Sequence, residues 1–126
     1  MGPARILVAV DDEHARGLLV TVLRAEGYTV DGARDRAEAA RLIDRNAYAL
    51  VLGAPSMPGL GGPELARLLE DRRPAEMPAL VFLAWPAFVP NSARFLMEYA
   101  ARLLPWPTTP ATISRIVARA LVPAPA

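Results

Sequence analysis

The chain has 126 residues, enough for one domain with a packed core and too few for two. Hydrophobic residues make up 53% and the net charge is +1, which excludes a disordered chain and leaves no bulk electrostatic drive toward nucleic acid. All 14 basic residues are arginine, cysteine is absent and His14 is the single histidine, so lysine chemistry, disulfides, thiol nucleophiles and multi-histidine metal sites are excluded.

The apolar run Ile6–Val10 reads as a buried strand and stops in three acids, Asp11-Asp12-Glu13. An acid at that junction has two readings: a ligand at the carboxyl end of a strand, or a cap on the helix that follows. Ala15, Leu18, Leu19, Val22 and Leu23 follow helical spacing, and Gly27 ends that helix. Tyr28–Val30 is a short second strand. Ala37, Ala40, Ile43 and Ala47 make a second helical stripe, with Asp35 as its cap. Ala49–Leu52 is the third strand, Pro55 to Gly62 a Pro/Gly loop, and Leu65, Leu68 and Leu69 mark a third helix.

Ala79–Ala84 is the fourth and most hydrophobic strand. A fourth helix capped by Asn91 or Ser92 runs through Ala93, Leu96, Met97 and Ala100. Leu103-Leu104 is a short fifth strand, and Ile113, Ile116, Val117, Ala120 and Leu121 form a last amphipathic helix. Residues 1–121 thus form one domain, and residues 122–126 read as a tail or the start of a linker. Five strands alternating with five helices predict a doubly wound α/β domain, with parallel strands and both faces covered. The N-terminal apolar run is too short for a signal peptide. The apolar stretch Met77 to Pro90 is broken by three prolines and falls short of the roughly twenty residues a membrane span needs. A cytoplasmic protein without membrane contact is the expectation.

Three features together carry a family resemblance. Val8-Ala9-Val10-Asp11-Asp12-Glu13 ends the first strand in an acidic pair. Met57-Pro58-Gly59 follows the third strand. The strand ends fall at Ala54, Ala84 and Trp106, separated by 30 and 22 positions. In this arrangement the chain resembles the receiver domain of bacterial response regulators over essentially its whole length. The resemblance implies a flavodoxin-like three-layer sandwich with strand order 2-1-3-4-5. It also implies a family chemistry, phosphoryl transfer from a histidine kinase to an aspartate at the end of the third strand. That reaction needs a carboxylate nucleophile, a divalent cation on oxygen ligands, and a lysine and a hydroxyl on the phosphoryl oxygens.

By the resemblance, the phosphoacceptor position is Ala54, the Ser/Thr position Ala84 and the Lys position Trp106; the aromatic switch position is Leu103. Asp11 and Asp12 remain as a vestigial metal pair that leaves Mg²⁺ bound at most weakly. No catalytic residue, enzyme activity or resident cofactor is expected. Trp106 is expected to fill the space at the strand ends, an exposed indole being the alternative that favours partner recognition. The Trp106-Pro107 peptide matches one that the resemblance implies is cis. Tyr99 stands where the family often turns on glycine. Ser56 is a turn residue, with phosphorylation by a separate kinase as the lesser reading.

The expected function is that of an atypical receiver, a pseudo-receiver acting as a phosphorylation-independent interaction module in two-component signalling. Trp85, Phe88, Phe95 and Tyr99 are the interaction candidates. The expected partners are a signalling protein or a covalently linked effector or kinase domain. A homodimer through the fourth helix, fifth strand and last helix is the further possibility that the resemblance raises. Small-ligand sensing in the remodelled strand-end pocket is the alternative function, and acyl-phosphate chemistry on Asp11 or Asp12 is a third.

Overall fold

The computed structural model describes residues 3–55, 57–84 and 97–122. Five strands, β1 (Arg5–Ala9), β2 (Thr29–Ala33), β3 (Leu50–Gly53), β4 (Ala79–Ala84) and β5 (Arg102–Pro105), form one sheet in the order β2-β1-β3-β4-β5. Every pairing is parallel. Four helices are described in full: α1 (Glu13–Ala25), α2 (Arg36–Arg45), α3 (Gly62–Arg72) and α4 (Pro110–Leu121). α1 packs against α4 and α2 against α3, so helices cover both faces of the sheet. This is the doubly wound architecture that the alternation predicts.

Burial explains the strand sequences. β1 lies between β2 and β3, and Ile6, Leu7, Val8 and Ala9 are fully buried, as expected where both faces are covered. Among the described residues no charged or polar residue is buried.

Local signals set the helix ends. Asp12 caps α1, its carboxylate accepting from the Ala15 N–H at 2.8 Å, and Gly27 turns the chain after it with φ 96°. Asp35 caps α2 by accepting from the Glu38 N–H at 2.8 Å. α4 begins with Thr109 as cap and Pro110 in its first turn, both of which sequence inspection passed over.

β2 runs three residues past the predicted Val30, through Asp31, Gly32 and Ala33. It is an edge strand, and Asp31 interrupts the apolar pattern without breaking the ladder. The Asp31 carboxylate accepts from the Arg5 guanidinium at 3.0 Å and from the Tyr48 hydroxyl at 2.8 Å. Burial, then the hydrogen bond to Asp31, holds the Tyr48 phenol well above its usual pKa.

The predicted fourth helix lies outside the described residues up to Leu96. From 97 onward its last turn closes with the Ala100 N–H on the Met97 carbonyl at 3.3 Å. The left-handed residue there is Ala100, with φ 50°, rather than Tyr99, so the tyrosine escapes the strain that its position suggested. The tail beyond Val122 also lies outside the described residues.

Candidate functional site

Four strands deliver the predicted site positions to one edge. The parallel register pairs Ala9 with Gly53, Gly53 with Phe82 and Ala84 with Pro105. The next residues along the chain, Val10-Asp11-Asp12, Ala54 and Trp106, therefore emerge together at the carboxyl ends of β1, β3 and β5. The Trp106 N–H donates to the Ala84 carbonyl at 3.0 Å, which ties the end of β5 to the end of β4. This is the edge where doubly wound sheets bind ligands.

The acidic pair divides its roles. Asp11 and Asp12 are both exposed. Asp12 spends one carboxylate oxygen on the α1 cap. From the first turn of α1, the Arg16 guanidinium donates to the Val10 carbonyl at 2.8 Å and to the Asp11 carbonyl at 3.3 Å. The helix-capping reading of the junction is thus satisfied in the structure. Among the described residues no three acidic or histidine side chains are grouped to hold a metal ion. His14 is exposed in the first turn of α1.

The other positions are apolar, and Ala84 among them is half-buried. Ala54 is fully buried and Trp106 only 9% exposed. The buried indole removes the exposed-tryptophan alternative. The Trp106-Pro107 bond is cis, as the resemblance implies. Below Ala54, Gly53 leaves a space that its neighbours occupy: a Cβ there would stand 2.7 Å from Phe82 Cε1 and 2.8 Å from Leu65 Cδ2. Strand periodicity alone gives no warning of this close fit.

The loop after β3 is held from two sides. The Met57 N–H donates to the Ala54 carbonyl at 3.1 Å, and the Arg36 guanidinium reaches from α2 to the Gly59 carbonyl at 2.9 Å. Gly59 has φ 70°, a left-handed turn that suits glycine. At Gly61 a Cβ would meet the Pro55 carbonyl oxygen at 2.7 Å, so this position also needs glycine.

Among the interaction candidates, Trp85, Phe88 and Phe95 lie outside the described residues, as does Ser56. Tyr99 is partly buried, and its hydroxyl donates to Glu70 on α3. That hydrogen bond, with some desolvation, pushes its pKa up to about 12. Leu103 is partly buried on β5 and packs against the core.

Comparison with known proteins agrees with this geometry. The family model for the response regulator receiver domain matches residues 6–117. A segment of 70 residues is 37% identical to protein PetR of Rhodobacter capsulatus, covering 56% of this chain and 30% of that protein. The receiver domain of the hybrid histidine kinase CckA is 28% identical with a TM-score of 0.72, over 94% of this chain and 99% of that one. The chemotaxis response regulator CheY4 of Vibrio cholerae superposes with a TM-score of 0.80 at 20% identity, over 94% of this chain and 98% of that one. The chain belongs to the response regulator receiver domain family, the receiver class of two-component signalling. The matched segment spans less than a third of PetR.

Proposed function

We propose that this receiver domain signals without aspartyl phosphorylation, as an interaction module rather than a phosphoryl acceptor or an enzyme. The observation that carries the reading is Ala54. It occupies the carboxyl end of β3 with no side-chain oxygen to attack phosphorus, and it is fully buried. Ala84 offers no hydroxyl and Trp106 no ammonium, so the groups that would hold a phosphoryl dianion are missing as well. Asp11 and Asp12 alone are a poor Mg²⁺ site: the ion dehydrates reluctantly, and one of the two carboxylates already caps α1. No cofactor is therefore assigned.

The partner is a signalling protein or a covalently linked effector or kinase domain. The occurrence of a similar domain in a hybrid histidine kinase supports this. β5 and α4, with the segment before β5, are the proposed contact surface, including for a homodimer. The near-complete burial of the Trp106 indole weighs against the ligand-sensing alternative.

The test is incubation with acetyl phosphate and Mg²⁺, followed by intact mass. An unchanged mass is expected. A stable phosphoryl adduct mapped to Asp11 or Asp12 overturns the reading.

A further inference from the structure

Resting on that reading, we infer that the outer surface of β5 and α4 receives an acidic partner protein, whose carboxylates meet Arg102, Arg115 and Arg119 beside exposed apolar side chains. The arginines select the partner's chemistry and disfavour a second copy of the chain.

Charge is divided along the chain. Residues 1–76 hold ten arginines against twelve acids. From residue 77 onward the charged side chains are Arg94, Glu98, Arg102, Arg115 and Arg119, so no acid follows Glu98. Arg102, Arg115 and Arg119 are all exposed. Arg5, Arg34, Arg72 and Arg73 pair with carboxylates. Among the described residues, the side chains of Arg102, Arg115 and Arg119 have no hydrogen bond or ion pair.

The register puts these three on one surface. A Cβ on Gly53 would meet Leu65 of α3, so Gly53 and its ladder partner Phe82 face α3. Phe82 pairs in turn with Leu103. Side chains alternate along a strand, so Arg102 and Leu104 face the opposite side, which α1 and α4 cover. β5 is the outer strand, and Arg102 stands at its open edge. α4 follows β5 and returns across that face, so its last turn, with Arg119, lies toward the end where β5 begins with Arg102. Ile113 and Val117 face the core, and the Ser114 hydroxyl donates to Glu26 at the end of α1. Arg115 and Arg119, one turn apart, therefore point outward, with Arg119 on the flank away from Ser114. Glu26 thus belongs to the α1 flank. Glu98 belongs to the turn that Tyr99 ties to Glu70, on the α3 side.

Exposed apolar side chains flank the arginines. Met97, 82% exposed, lies in the turn before β5, and Val122, 67% exposed, directly follows α4. Arginine and methionine with few acids is the composition of a protein interface. A guanidinium matches a carboxylate through two parallel hydrogen bonds. Three arginines fall short of the roughly six to ten phosphate contacts of strongly salt-dependent nucleic-acid binding, and of the about four to eight basic residues of a lipid-binding cluster. A second copy docked about a two-fold axis would set these arginines against themselves, with no acid on β5 or α4 to offset them.

The probe is a synthetic amphipathic helical peptide with leucine on one face and glutamate on the other, titrated into the ¹⁵N-labelled domain. Amide shifts at Arg102, Arg115, Arg119 and Val122 are expected, and they should weaken with salt. The combined variant Arg102→Gln, Arg115→Gln and Arg119→Gln should bind about tenfold more weakly. All three side chains are exposed, so the rest of its spectrum reports that the fold persists. No shifts, shifts on another surface, or equal binding of a peptide with glutamine in place of glutamate overturns the inference. So does tighter binding to duplex DNA or phosphatidylglycerol vesicles, or a dimer in sedimentation that the triple variant breaks. Phosphoryl-independent signalling is tested separately by intact mass after acetyl phosphate, so the two claims can fail independently.

Discussion

Phe82 stands directly opposite Gly53 in the β3–β4 ladder, and its ring occupies the volume that a Cβ on Gly53 would need. Large against small, the pair sets how β3 and β4 close at the edge where the site positions emerge. Gly53→Ala should therefore destabilise the domain by about 1–3 kcal/mol through overpacking. Adding Phe82→Leu should recover part of that loss. A double-mutant cycle in urea measures the coupling, and additive losses would mean that the ring yields freely.

Trp106 is a structural side chain by the same logic. Trp106→Ala removes a nearly buried indole and should cost about 3–5 kcal/mol in chemical unfolding. A cost near zero would place the ring outside the core.

Asp12→Ala tests the cap. Losing the bond to the Ala15 N–H should cost about 1 kcal/mol, and Asp12→Ser should restore most of it. If Asp12 served a metal instead, serine would not rescue, and the loss would appear only with Mg²⁺ present.

Tyr48 gives the domain an alkaline signature. Its pKa is raised in the folded state, so its contribution is fully present below the unfolded value near 10 and is lost as pH rises through the higher folded value. The chain has no lysine or cysteine titrating in that window, and Tyr99, also raised, to about 12, adds a fall of the same sign that Tyr48→Phe leaves in place. Tyr48→Phe should flatten the fall in stability above about pH 10. It should also cost about 1 kcal/mol at neutral pH, since Asp31 keeps Arg5 as a partner. Urea midpoints across neutral and alkaline buffers check both effects.

Ala100 carries a positive φ that glycine adopts freely. Ala100→Gly should stabilise by up to about 1 kcal/mol, read as a higher melting temperature. A drop would mean that the turn before β5 is not left-handed in solution.

The sequence carried the architecture because the strands are covered on both faces and read as unbroken apolar runs, as Ile6–Val10 and Ala79–Ala84 do. It carried the strand-end positions because the alternation fixes where each strand stops. The continuation of β2 was hidden, because Asp31 is polar and its partners Arg5 and Tyr48 are distant in sequence. The fit of Phe82 and Leu65 over Gly53 was hidden for the same reason: volume complementarity across strands leaves no periodic trace. Asp12 was ambiguous between ligand and cap until the Ala15 hydrogen bond was in view.

The central claim is a single state indifferent to phosphoryl chemistry. Amide spectra of the ¹⁵N-labelled domain, recorded with and without Mg²⁺ and beryllofluoride as a phosphoryl mimic, test it most directly. Superimposable spectra are predicted. Shifts clustered at Asp11, Ala54, Ala84 and Trp106 and spreading into β5 and α4 would contradict it.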